Sequence, residues 1–86
     1  MPYVYILTCS DGTLYTGWTI DLAERLAAHQ AGRGARYTRT RLPVKLVYRE
    51  TCPDRSSAMK RERAIKKLPR VKKLALVKEY QHSLDD

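Results

Sequence analysis

The sequence predicts an α+β fold: a small three-stranded antiparallel sheet, made of a hairpin and a later third strand, flanked by about three helices. Three observations carry this reading. The run Tyr3–Cys9, YVYILTC, is β-branched, aromatic and apolar with no helical period, and a short turn and a second such run follow it. Asp21 with Glu24 three residues later has the form of a capping box ahead of an amphipathic segment. The last third of the chain reads as two basic helical segments divided by Pro69. With 86 residues there is length for one core only, so residues 1–82 are read as one domain and residues 83–86 as a frayed tail.

Each element has a local reason. Tyr3–Cys9 suits a buried central strand, Ser10–Asp11–Gly12 a turn, and Thr13–Trp18 the returning strand. Two hairpin registers are open on turn chemistry. A two-residue Asp11–Gly12 turn sets Tyr5 and Tyr15 on opposite faces, and a three-residue loop with Gly12 left-handed sets both on one face. The first helix runs from Asp21 to about Gln30 and is ended by Gly32. Gly32–Arg41, GRGARYTRTR, reads as a basic loop, and Pro43 precedes a third strand over Val44–Thr51. A helix capped by Asp54 or Ser56 runs to about Leu68. The last covers about Arg70–Tyr80, with Val71, Leu74, Ala75, Val77 and Leu84 at core-like spacing.

Charge narrows the class of partner. The formal net charge is +8, and of 17 basic residues all but Arg25 lie between Arg33 and Lys78. Within those limits the acidic residues are Glu50, Asp54 and Glu62. So positive a surface draws polyanions, and with no long apolar run, secretory pattern or lipidation motif the expected partner is nucleic acid, not a membrane. Cys9 and Cys52 have no metal-ligand spacing and read as reduced, buried thiols of a cytoplasmic protein. Six tyrosines and no phenylalanine supply apolar bulk with polar tips, which suits a half-wet site.

Several residues sit where packing alone does not explain them. Leu22, Arg25, Leu26 and His29 fall on one helical stripe, so an arginine and a histidine share it with two leucines. A bland account has Arg25 snorkelling at the stripe's edge and His29 closing the helix as a favourable cation. Arg33, Arg36, Arg39 and Arg41 surround Tyr37, a pattern suited to phosphates and a stacked base, against which stands a plain solvated loop. Glu62 falls on or beside the apolar stripe formed by Ala58, Met59 and Ile65, among Lys60, Arg61, Arg63, Lys66 and Lys67. It suits either a surface i,i+4 pair with Lys66 or an inward carboxylate acting as a metal ligand or base.

Taken together, Tyr3–Val4–Tyr5, Tyr15–Thr16–Gly17, Arg25, His29 and Glu62 resemble the GIY-YIG nuclease superfamily, and LYTGWT, GRGARYTR and AMKRERAIKKL resemble its small bacterial members. Tyr3 stands for the glycine of the first motif and Thr16 for the isoleucine of the second, positions without a chemical role in the family. The resemblance implies that both motif tyrosines face one site, which selects the three-residue hairpin loop. It implies a metal-dependent endonuclease acting on DNA rather than RNA, structure-selective or weakly specific. One Mg²⁺ or Mn²⁺ ion would be held on Glu62, with Tyr15 as general base and Tyr5 placing the water. Arg25 would hold the phosphate, His29 would relay the proton or position Tyr15, and Gly17 would allow close approach. Cations near Tyr15 are expected to lower its pKa. Lys66 and Lys67 join the loop arginines as substrate contacts, though a solvated Lys67 serves as well. The rival readings are a non-catalytic DNA- or RNA-binding module and an interaction protein on a nucleoprotein.

Overall fold

A computed structural model, which describes residues 1–85, orders the elements as β1 (Tyr3–Thr8), β2 (Leu14–Thr19), α1 (Leu22–Gln30), α2 (Arg36–Arg39), β3 (Lys45–Thr51), α3 (Arg55–Lys66) and α4 (Arg70–Asp85). The three strands form one antiparallel sheet in the order β2–β1–β3, so the most apolar strand is central, as its composition requires. Four helices flank it, the expected three and the single turn α2.

The hairpin takes the three-residue loop. Leu7 pairs with Tyr15, Gly12 has φ +82°, and the Cys9 and Gly12 amides donate to Thr13 and Cys9 carbonyls at 2.9 Å. The Asp11 carboxylate accepts from the Thr13 amide at 3.0 Å and the Thr13 hydroxyl at 2.6 Å, which pins the turn. In this register β1 divides its side chains between two layers. Val4 and Ile6 pack with Ala58 and Ile65 of α3 and Val77 of α4. Tyr5 and Leu7 face the other way, with Tyr15, Leu22 and Leu26. Val4, Ile6, Leu7 and Ile65 are fully buried, and each contributes about 2 kcal/mol of hydrophobic stabilisation. A bulge in β3 leaves Val47 unpaired between Leu46 and Tyr48, so Val47 and Tyr48, adjacent in sequence, both enter the first layer.

The structure corrects several boundaries and contacts. Asp21 caps α1 by accepting from the Glu24 amide at 3.0 Å, but its own amide donates to the Thr19 hydroxyl at 3.1 Å, so Thr19 does what the capping box assigned to Glu24. Asp54 is the cap of α3, accepting from the Ser57 amide at 2.7 Å. The stretch read as a loop contains α2, because Thr38 is fully buried and draws one helical turn in with it. The last helix does not fray after residue 82 but continues to Asp85; Asp86 lies outside the described residues. Its inner face also differs. Val71, Leu74 and Leu84 are exposed and Leu76, Val77 and Tyr80 do the packing, because α4 lies against β3 at the sheet's edge and covers it with a narrow stripe.

Candidate active site

The site lies on the Tyr5 face of the sheet, under α1 and α2. His29 is fully buried, and its two ring nitrogens are both used. Nδ1 is 2.9 Å from the Thr38 hydroxyl and Nε2 is 2.9 Å from the Tyr5 hydroxyl. Donor counting orders the chain. Thr38 has one proton, which it donates to the Ala35 carbonyl at 3.2 Å, so its oxygen accepts from His29 Nδ1–H. His29 Nε2 then carries a lone pair and accepts from the Tyr5 hydroxyl. His29 is thus a neutral imidazole with its tautomer set from α2, not a cation closing a helix.

Two glycines make room for this chain. A Cβ on Gly17 would lie 2.5 Å from the Tyr5 hydroxyl oxygen, so the glycine of β2 is the space that hydroxyl occupies. A Cβ on Gly34 would lie 2.2 Å from His29 Nδ1 and 2.4 Å from Cγ. Gly34 is the floor under the imidazole.

Tyr15 stands beside His29, edge to face at 5.4 Å between ring centroids, and stacks on Tyr37 at 6.1 Å and 23°. The Arg41 guanidinium covers the Tyr37 ring at 3.9 Å. Arg41 is fixed there by the Asp11 carboxylate at 3.0 Å and the Tyr37 carbonyl at 2.8 Å. The hairpin turn and the basic segment are therefore joined through Arg41. The Tyr15 hydroxyl has no hydrogen-bond partner among the described residues, and the side chain is half-buried, so water reaches it.

Electrostatics tie in the two remaining candidates. Burial pushes the Tyr5 hydroxyl up to about 12, reinforced by Tyr15 and Glu62 and opposed by the Arg25 cation. Burial and then the Glu62 carboxylate raise Tyr15, and Arg25 pulls it down. This reverses the expectation that the surrounding cations lower Tyr15. Of the many lysines and arginines, Arg25 is the one that acts on it. Burial, then Arg25, lowers the His29 pKa. Glu62 thus reaches the tyrosines from α3, which packs against β1 and β2. Its side chain is 19% exposed, and its Oε1 lies 3.7 Å from Lys66 Nζ. The i,i+4 pair and the inward carboxylate are both present, with Lys66 half exposed on the solvent side.

These shifts set a stability window. His29 binds its proton less readily folded than unfolded, so its contribution is complete above about pH 6.5 and is lost as the pH falls below that. Tyr5 and Tyr48, both raised to about 12, contribute fully below pH 10 and lose that contribution as the pH rises through 12. Burial also raises the Cys52 thiol from 9.0, so urea unfolding is expected to give a plateau between about pH 6.5 and 9. In His29→Gln the loss between pH 6.5 and 5 should shrink; an unchanged acid limb would assign it elsewhere.

Tyr5, Tyr15, His29 and Gly17 form one contacting group, and Arg25 and Glu62 act on its tyrosines through their charges. Arg33, Arg36, Arg39 and Lys67 are exposed on the surface around them, and Arg41 and Tyr37 are tied to the site's own wall. Arg25 also lines a cleft of about 260 Å³ with Trp18, Thr19, Ile20 and Arg55. Sequence reasoning missed Thr38 and Gly34. A histidine on a buried stripe needs a partner for its second nitrogen, and the threonines just beyond Gly32 were the signal available.

A family model described as the GIY-YIG catalytic domain matches residues 1–75. A UPF0213 protein of Desulfotalea psychrophila is 60% identical over 77 residues, covering 88% of this chain and 70% of that protein. One from Streptococcus sanguinis is 54% identical, covering 90% and 88%. The solution structure of a UPF0213 protein from Bacillus halodurans is 47% identical with a TM-score of 0.59, covering 91% of this chain and 84% of that one. That of an Enterococcus protein (E. faecalis) is 41% identical with a TM-score of 0.61, covering 92% and 84%. No helix among the described residues is long and apolar enough to cross a membrane. The matched residues contain both tyrosine motifs and the helices bearing Arg25, His29 and Glu62, and on that ground the chain belongs to the GIY-YIG domain family, with the UPF0213 proteins as its relatives.

Proposed function

We infer that the protein hydrolyses phosphodiester bonds in nucleic acid, DNA before RNA, at the site formed by Tyr5, Tyr15, Arg25, His29 and Glu62. The observation that supports this most is that one carboxylate and one guanidinium, from different helices, act on both tyrosine hydroxyls. Arg25, exposed beside the tyrosines, holds the scissile phosphate through its fixed fork of donors. Tyr15, with its hydroxyl open to water, is the group that takes the proton of the attacking water. Tyr5 is occupied by His29 and orders the wall of the site, and His29 keeps Tyr5 in place through Nε2.

The donor set fits one hard divalent cation, Mg²⁺ or Mn²⁺. Glu62 offers a carboxylate oxygen, and among the described residues no three His, Cys, Asp or Glu cluster, which suits an ion that keeps most of its own waters. Bound there, the ion supplies positive charge to a phosphoryl oxygen and to a water. The Tyr15 hydroxyl, raised by burial and Glu62, is protonated near neutrality, so cutting rises with pH.

The test is incubation with labelled duplex, flap, fork, junction and single-stranded DNA and structured RNA, in Mg²⁺, Mn²⁺ and chelator. Metal-dependent cutting is the expected result. Tyr15→Phe is expected to slow it about 100- to 10,000-fold at an unchanged melting temperature; full activity would remove Tyr15 as the base. The Lys66–Glu62 contact favours a second reading, a module that binds nucleic acid without cutting, since a lysine already lies 3.7 Å from one Glu62 oxygen. Binding across the panel in chelator with no cutting in either metal would establish it.

A further inference from the structure

Arg25 forms one end of a cleft of about 260 Å³, and the rest of that cleft has no role in the chemistry above. Its lining is Trp18, Thr19 and Ile20 at the end of β2 and Arg55 at the start of α3. The character of these residues is specific. Arg25 and Arg55 are both exposed, and neither is ion-paired among the described residues. Asp21 and Asp54 are engaged as helix caps, accepting from the Glu24 and Ser57 amides at 3.0 and 2.7 Å, and Glu24, next to Arg25 in sequence, makes no ion pair with it among the described residues. The Thr19 hydroxyl is spent on the Asp21 backbone, donating to its carbonyl at 3.3 Å and accepting from its amide at 3.1 Å. What remains is an apolar wall, with Ile20 55% exposed and Trp18 half-buried, sharing one cleft with two unneutralised guanidinium groups.

We propose that this cleft binds the nucleotide next to the scissile bond, with Arg55 taking the adjoining phosphate and Trp18 and Ile20 taking the carbon face of the sugar between. The placement of the scissile phosphate on Arg25 rests on the nuclease reading. Two cations and an apolar wall in one cleft match a sugar-phosphate backbone, which presents anion, carbon face and anion in turn. A protein ligand would need acidic side chains at that spacing, and a free anion would leave the wall uncovered. The lining offers no side-chain acceptor for a base edge, because Arg and Trp only donate and the Thr19 hydroxyl is occupied. With Arg25 and Arg55 committed to phosphates and the Thr19 hydroxyl occupied, the subsite fixes the strand's course without reading a base edge.

The experiment measures binding in chelator, with Glu62→Ala as the background so that no strand is cut. A labelled flap DNA is titrated across a salt series. Arg55→Ala is expected to reduce the slope of log K against log salt by just under one, and to weaken binding about tenfold at 0.1 M salt. Arg55→Lys should keep the slope, since it keeps the charge. Ile20→Asp, which sets a carboxylate in the exposed wall, should weaken binding at least as much. An unchanged slope in Arg55→Ala, or unchanged affinity in Ile20→Asp, overturns the proposal, as does failure of the background protein to bind any DNA of the panel. The nuclease reading fails separately. A wild-type protein that never cuts, with the Arg55 effect intact, leaves a backbone-binding cleft without hydrolysis.

Discussion

Replacing Glu62 by Gln is expected to lower metal-dependent cutting by about a thousandfold or more, while binding of uncut strands in chelator stays within about twofold. The substitution keeps the size of a side chain that is 19% exposed and removes only its charge. Its effect on the base runs the other way. Without a bound ion, burial and then Glu62 raise Tyr15, so removing the charge lets the Tyr15 pKa fall, whereas an ion held on Glu62 would turn that influence round. The metal series separates the two roles, since a loss that rising Mg²⁺ partly restores marks the carboxylate as a cation ligand. The same substitution frees Lys66, whose contact with Glu62 is an exposed i,i+4 pair of small energetic consequence. Gel assays over a range of Mg²⁺ concentrations measure it. Cutting at the wild-type rate in saturating metal would take Glu62 out of the mechanism.

The largest effect on stability is expected from Gly34→Ala. Its backbone is not in the left-handed region, unlike Gly12 at φ +82° and Gly32 at φ +79°, so the argument is one of space alone. The added methyl would sit 2.2 Å from His29 Nδ1, and the ring cannot retreat, being held at both nitrogens and fully buried. Overpacking and the loss of one or both hydrogen bonds together cost about 3 kcal/mol, which lowers the Tm of a domain this size by more than about 10 °C. The cause is checked by a double substitution. His29→Ala removes the ring, so Gly34→Ala should cost much less in that background than in the wild type. Equal costs in both backgrounds, read by thermal unfolding, would mean that the methyl meets something other than the imidazole.

The sheet was legible because its signals are local. YVYILTC is apolar through its length and has one plausible place, at the centre, and Ser10–Asp11–Gly12 admits few turns. The register was not decided by turn chemistry, and only the expectation that Tyr5 and Tyr15 share a face selected it. The gathering of Tyr5, Tyr15, Arg25, His29 and Glu62 followed from resemblance, since nothing local connects α3 to the hairpin. What periodicity could not show was the state of the groups. Tyr15 is raised because burial and one carboxylate outweigh Arg25, the one cation of a strongly basic chain that acts on it, and sequence composition does not record position. Thr38 was hidden because a hydroxyl among arginines looks solvated until its histidine partner is placed above it. The apolar residues of α4 were misassigned because an edge helix buries a narrower stripe than its composition suggests.

The division of β1 between two layers has a consequence for altering this protein. Val4 and Ile6 serve one layer and Tyr5 and Leu7 the other, on a strand paired along both edges. A library that varies the centre of β1 would lose most of its members to misfolding, because each residue from Val4 to Leu7 is buried in one layer or the other. The residues that can diversify freely are peripheral: Ile20, Arg55, and the exposed arginines at 33, 36 and 39, none of which is buried or ion-paired among the described residues. New specificity in this scaffold is therefore reached from its rim, with the strand at the centre left as it is.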